Sequence, residues 1–212
     1  ETGNEDVVAQ DEDPNPERYS VEIKYVFEDG TPATNSWTST IGENEALNRT
    51  VLSPTVVGYA PDRAEVGLNV EHVTGDIVET VTYFPAEVNF TVEHYWQNVE
   101  NDEYGATPHE TSAESGMTND PVGGGFAKTY DGFTALLYNA RTKIAADGST
   151  VVKIYYVRNY YLLTFNLDGG YGVEPIYARY GAAINVGTPT KPGYTFDKWT
   201  PAVPTAMPDK NT

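Results

Sequence analysis

Apolar side chains at Val21, Ile23, Tyr25 and Phe27 alternate with Ser20, Glu22, Lys24 and Val26, a period of two that predicts a strand with one face on a core. The same phase returns at Phe90, Val92, His94 and Trp96, and again at Leu163, Phe165 and Leu167. Each of these opening strands runs into a turn or polar loop: Glu28-Asp29-Gly30, the stretch from Gln97 to Tyr104, and Asp168-Gly169-Gly170. A Gly-aromatic pair follows in every copy, as Gly58-Tyr59, Gly132-Phe133 and Gly193-Tyr194. Closing runs rich in β-branched and aromatic residues end the first two copies, over 79–85 and 149–159. Landmarks kept in one order at an interval of about 70 residues mark an array of small units rather than one large enzyme core.

Between opening and closing strands, 42–52 (GENEALNRTVL) and 138–147 carry some helical potential. The predicted fold class is therefore α+β and strand-dominated, each unit a mostly antiparallel sheet covered by one short helix. Joints as brief as Ala86-Glu87 and Asn159-Tyr160 restrict neighbouring units and predict an elongated array. The expected divisions are a leader over 1–18, modules over 19–86 and 87–159, and a module over 160–212 that lacks a closing strand and reads as incomplete. Within the leader, Glu1-Thr2-Gly3 reads as a scar left after removal of a secretion signal. The rest, NEDVVAQDEDPNPER, combines acid runs with two prolines and almost no apolar content, the composition of a disordered linker.

Charge and cysteine usage narrow the function classes. Thirty-one acidic against 13 basic residues give a net charge of −18, which repels nucleic acid and anionic lipid and leaves neutral or basic partners. The absence of cysteine removes zinc-thiolate sites, thiol catalysis and disulfides together, and points to a cytosolic protein or a bacterial surface protein. No stretch approaches the ~18 uninterrupted apolar residues of a membrane-spanning helix. Sixteen tyrosines suit thin-cored β units, where an amphipathic ring can bury its body and keep its hydroxyl wet.

The third unit, FNLDGGYGVEPIYARYGAAINVGTPTKPGYTFDKW from Phe165 to Trp199, resembles the Listeria–Bacteroides repeat, the internalin B-repeat. The matching elements are Asp168-Gly169-Gly170, Tyr180-Gly181, Pro189, the run from Lys191 to Phe196, and Trp199. The first unit (VEIKYVFEDGTPA) is similar to mucin-binding-protein (MucBP) repeats, and the second (VEHYWQN and ADGSTVVKIYYVRN) to related modules of Gram-positive surface proteins. The resemblance implies β-grasp, ubiquitin-like modules in a cell-wall-attached adhesin, outside the cell. A non-enzymatic fragment of such a protein would bind host surface glycoprotein or mucin, or present an adhesive tip as a stalk. Two other readings stay open: a dedicated host-protein receptor module for an immunoglobulin or cell-surface receptor, and an accessory domain of a secreted glycan-active enzyme. A monomeric fragment without nucleic-acid partner or membrane insertion is expected.

Catalytic signatures are missing from the sequence. His72, His94 and His109 form no HExxH or other ligand-spaced motif, and His94 keeps phase with a strand face. No Ser lies in GxSxG, and the glycines of 123–125 with Lys128 have the wrong spacing for a phosphate loop. The acidic runs at 98–103 (NVENDE) and 11–13 invite calcium but lack the EF-hand pattern, so both read as solvated loops. A Lys-Asn isopeptide crosslink at Lys24 is open to test, although the alternating position of Lys24 faces it to solvent. No catalytic residue, metal ligand or cofactor is assigned. Exposed aromatics are the usual anchors of binding surfaces, so Trp37, in TNSWTST, and Tyr104, in a polar loop, are the candidate binding residues, while Trp199 reads as core.

Overall fold

The computed structural model describes residues 17–122, 124–136 and 142–212. They fall into two compact units, Glu1–Ala86 and Glu87–Thr212. In the first, β1 (Arg18–Phe27), β2 (Trp37–Gly42), β3 (Leu47–Leu52), β4 (Tyr59–Pro61), β5 (Glu65–Val70) and β6 (Ile77–Pro85) build a four-stranded sheet in the order β2-β1-β6-β4 and a β3–β5 ribbon. The centre of the sheet is a parallel pair, with Tyr25 of β1 opposite Val81 of β6, and β2 and β4 run antiparallel on its flanks. Alternation delivers Val21, Ile23 and Tyr25 to one face, where they meet Val81 and Tyr83 and are covered by Val51, Val66 and Leu68 of the ribbon. Burying a side chain of this size stabilises by about 1.5–3 kcal/mol relative to leaving it exposed.

The second unit repeats this plan. Its strands β7 (Glu87–Trp96), β8 (Glu110–Met117), β9 (Pro121–Val122), β10 (Phe133–Leu136), β11 (Thr142–Lys143) and β12 (Val151–Arg158) form a sheet β10-β12-β7-β8 and a β9–β11 ribbon. Again the opening and closing strands pair in parallel at the centre, His94 opposite Ile154. The Gly-aromatic step marks the same turn in both units: Gly58 and Gly132 take φ of 74° and 78°, and their carbonyls accept from the amides of Ala86 and Asn159 at 2.9 Å. Beyond β12 lies the hairpin of β13 (Tyr160–Leu163) and β14 (Ile176–Arg179), followed by a largely irregular course. Thr212 donates to the Leu162 carbonyl at 3.0 Å and accepts from the Thr164 amide at 2.8 Å, the bonding of a parallel partner beside β13.

Two expectations are overturned here. The architecture is nearly all-β, not α+β, since the described residues contain only a 3₁₀ turn, Gly124–Phe126, as helix. The β-grasp expectation falls with the missing helix. Residues 42–52 turn at Asn44, whose φ is 58°, with the Glu45 carboxylate accepting from the Gly42 amide at 2.9 Å. The following Leu47–Leu52 then pairs with β5, because Val51 reaches the core from a strand and a single helical turn there would leave its end groups unpaired. The second segment with helical potential lies partly outside the described residues, and its described part is β11 and a turn. The flanking pairs of both sheets are antiparallel and only the central pair of each is parallel, a detail that alternation could not show because it gives a strand's faces and not its partner.

Candidate functional site

At the end of β7 the chain leaves the sheet and forms an open groove of about 580 Å³. Trp96 supplies its inner wall, held between the rings of His109 (centroids 3.3 Å apart, 14° between planes) and Phe133 (4.5 Å, 28°). His109 is exposed and covers Trp96 from the groove side, so its outer face meets solvent. The opposite wall is the loop after Gln97. There the Asn98 amide donates to the Glu103 carbonyl at 2.8 Å, and Asn98 Nδ2 and the Glu103 amide both donate to Asn101 Oδ1 at 3.0 Å. That arrangement commits Asn98 Nδ2 and Asn101 Oδ1 to each other and leaves Asn98 Oδ1 and Asn101 Nδ2, an acceptor and a donor, without a hydrogen-bond partner among the described residues. The groove floor includes Arg158, whose Nε donates to the Gln97 carbonyl at 2.7 Å and whose guanidinium lies 4.8 Å from the Phe133 centroid. Burial pushes this guanidinium's pKa below its ordinary value.

Behind the groove, His94 is fully buried. Tyr156 Oη accepts from the Lys128 amide at 2.9 Å and shares a hydrogen bond with His94 Nδ1, 2.8 Å away. The other ring nitrogen, Nε2, is buried without a partner. Burial lowers the His94 pKa, and Lys128 adds to this. The Lys128 ammonium pairs with Glu110, which also accepts from Tyr130 Oη at 2.6 Å. These two bonds hold the Glu110 carboxyl below its ordinary range. Burial, followed by the bond to Glu110, drives the Tyr130 phenol well above its usual value. The network stays neutral or paired, and it supports Trp96 through the edge of Tyr130, 5.2 Å between centroids.

The residues singled out from sequence lie elsewhere or play other parts. Trp37 is half-buried at the start of β2 beneath the Arg49 guanidinium, 5.0 Å from its ring centroid. Tyr104 packs edge-on against Tyr155 at 4.8 Å, forming one end of the Gln97–Tyr104 bridge at the base of the groove loop. These two residues belong to different units. Trp199 is half-buried between Phe165 and Phe196. Lys24 sits on the exposed side of β1 with Glu22 Oε2 at 3.9 Å, the solvent-facing placement that its alternation gave. His72 is exposed, its Nδ1 3.3 Å from the Asn44 carbonyl. Among the described residues no cluster of three or more His, Cys, Asp or Glu could hold a metal; the run 11–13 lies outside them. The loop 98–103 is not simply solvated, because a cation from the same unit already occupies it: Arg179 of β14 donates to the carbonyls of Val99 (3.3 Å) and Asn101 (2.6 Å) and pairs with Asp102.

Sequence reasoning missed Asn98, Asn101, His109, Arg158 and Arg179. In a chain so poor in bases, an arginine closing an apolar strand, as Arg158 does, was the available signal. The acidic run holding Asn98 and Asn101 drew attention for calcium rather than for its amides, and nothing local marked His109 or Arg179. A second, smaller cavity of about 160 Å³ lies in the last segment beside Tyr194 and Phe196. Its lysine, Lys191, is committed to Asp168, donating to the carbonyl at 2.6 Å and the carboxylate at 2.9 Å, and this contact lowers the Asp168 pKa. No helix among the described residues is long and apolar enough to cross a membrane.

No family model and no curated protein matches the chain. Among solved structures, a MucBP domain from Lactobacillus acidophilus is similar over 32% of this chain and 91% of its own, at 20% identity and a TM-score of 0.24. The structure titled Mub-RV is similar over 66% of this chain and 99% of its own, at 14% identity and a TM-score of 0.22. The Bacillus anthracis TIE protein matches 85% of this chain at 11% identity and a TM-score of 0.35, and this chain spans 46% of its length.

Proposed function

We propose that this chain is an extracellular, non-enzymatic fragment of a bacterial surface adhesin, and that it binds a host glycoprotein or mucin through glycan in the groove at the end of β7. The division into modules over 19–86, 87–159 and 160–212, the last of the B-repeat kind, belongs to the same proposal. The observation that carries it is the groove's chemistry. A wide, open cleft presents an imidazole face backed by indole, an unspent amide oxygen at Asn98 and an unspent amide nitrogen at Asn101. Sugar rings offer C–H faces that stack on such rings and paired hydroxyls that match such amides. Openness suits a polymer or branched chain, which must enter from the side, better than a small enclosed substrate. Weak contacts of this kind gain strength when several act along one chain.

The test is binding of the whole chain to immobilised mucin before and after enzymatic removal of its glycans. Binding that depends on glycan, and that drops about tenfold or more in the triple variant Asn98→Ala, Asn101→Ala, His109→Ala, is the expected result, each lost hydrogen bond being worth about 0.5–1.5 kcal/mol. Equal binding to stripped mucin, or a triple variant that binds like the wild type, overturns it. Saturable binding to the protein backbone alone would favour the receptor-module reading instead.

A further inference from the structure

We propose that the hairpin β13–β14 braces the groove without lining it, with Arg179 as the positioning residue that holds the loop 98–103 in its binding shape. This inference rests on the glycan-groove reading for what is bound, and on the geometry below for how the wall is held.

Residues 98–101 form one wall of the groove, and besides the bonds among Asn98, Asn101 and Glu103 the loop is tied at Asp102, which accepts from Gln97 Nε2 at 3.2 Å. Two backbone carbonyls, Val99 and Asn101, and the Asp102 carboxylate converge on one point behind the wall, and the Arg179 guanidinium fills that point. Three oxygens converging on a planar cation make a cradle that a guanidinium fits, because its fork donates in several fixed directions at once. The side chain of Arg179 is only 12% exposed, and its Nε is buried without a partner, so the group has given up water to reach the loop. From the other side its guanidinium lies 5.6 Å from the Tyr160 ring centroid of β13. The hairpin itself is anchored to the sheet, since Arg158 Nη1 donates to the Tyr180 carbonyl at 3.0 Å and Tyr180 packs on Phe133 at 5.7 Å. The path therefore runs from sheet to hairpin to Arg179 to loop, and Asn98 and Asn101, the groove's unspent amides, sit at its end.

Hydrogen exchange of the whole ligand-free chain reads the latch directly. In Arg179→Ala the protected amides of Asn98 and Glu103 should exchange about tenfold faster or more, because local opening no longer breaks the charged contacts. Amides of β7 and β12 should keep their protection. Arg179→Lys, a point charge without the fork, should recover part of the loss, and Asp102→Ala should reproduce part of it from the loop side. Mucin binding should fall in step with loop protection across these variants. Unchanged loop exchange in Arg179→Ala and Asp102→Ala together overturns the inference whatever the ligand proves to be, as does a loosened loop that leaves mucin binding intact. A wild type that binds no glycan would sink the groove's assignment while the exchange result still decides whether Arg179 holds the loop. Should Arg179→Ala fail to fold, Arg179→Lys and Asp102→Ala carry the same reading.

Discussion

The sheets of the two units place corresponding side chains in corresponding positions. Val21, Ile23 and Tyr25 on β1 match Phe90, Val92 and His94 on β7, and Val81 and Tyr83 on β6 match Ile154 and Tyr156 on β12. One exchange sets them apart. Where the first core has Tyr25 against Tyr83, rings edge to face at 6.3 Å, the second has His94 hydrogen-bonded to Tyr156 at 2.8 Å. A scaffold that accepts an imidazole in place of a phenol then has to satisfy it, and Lys128, Glu110 and Tyr130 form the network that does so. The first unit remains an aliphatic and tyrosine core, while the second becomes a titratable one beneath the groove.

The largest effects should test whether the two cores are equally well packed. Ile23→Ala and Ile154→Ala each empty a fully buried site and should each cost about 2–5 kcal/mol in denaturant unfolding, with protection lost in the sheet that carries the change. A much smaller cost at Ile154 would show that the second core collapses around its polar network. Next come the matched glycines. Both have positive φ, so alanine strains both, and at Gly132 a Cβ would lie 2.3 Å from the Tyr180 ring. Gly132→Ala should therefore cost roughly 1–3 kcal/mol of overpacking on top of the backbone strain.

Matched tyrosines sharpen the contrast further. Tyr83 Oη makes one bond, to the Pro54 carbonyl at 2.5 Å, whereas Tyr156 Oη serves His94 and Lys128 together. Tyr156→Phe should cost about 1–3 kcal/mol, more than Tyr83→Phe, since it strands two buried groups. Acidity should then separate the units. His94 has its pKa lowered by burial in the folded chain, so the unfolded chain takes up the proton first. The stabilising share is complete above the ordinary imidazole value and is lost as pH falls from about 6.5 toward the lowered one. Unfolding measured at pH 7.5 and 5.5 should show this loss in the wild type and not in His94→Gln. The smallest effect belongs to the surface: Glu79→Gln breaks the 3.1 Å pair with Arg63 and should change stability by less than about 1 kcal/mol.

Much of the framework could be read from the sequence because it is local. Period-two alternation placed β1, β7 and β12 within a few residues, and the Gly-aromatic landmarks at 58 and 132 fall on turns where the glycine takes positive φ. What could not be read depends on encounters between distant residues. The helical potential of 42–52 misled because Leu47–Leu52 has its partner in β5, further along the chain, and a strand's partner decides its state as much as its own propensity. Trp37 and Tyr104 were chosen for their polar neighbours, yet a polar flank does not expose a ring that Arg49 or Tyr155 covers. The groove was invisible for the same reason: its arginines, Arg158 and Arg179, act on a loop many tens of residues earlier in the chain.

The parallel pairing of opening and closing strands bears on tensile load. In the first unit β1 enters and β6 leaves, and seven residues of each face each other from Val21–Ile77 to Phe27–Tyr83. Tension drawn through the two ends of such a unit pulls these strands along their length in opposite senses. The bonds between them then resist in shear as a set, instead of parting one at a time like a zipper. The equivalent pair β7–β12 has the same geometry. Resistance to forced unfolding is set by the rate of crossing that barrier and not by equilibrium stability. Such a pair resists force along the chain even where the cores are thin.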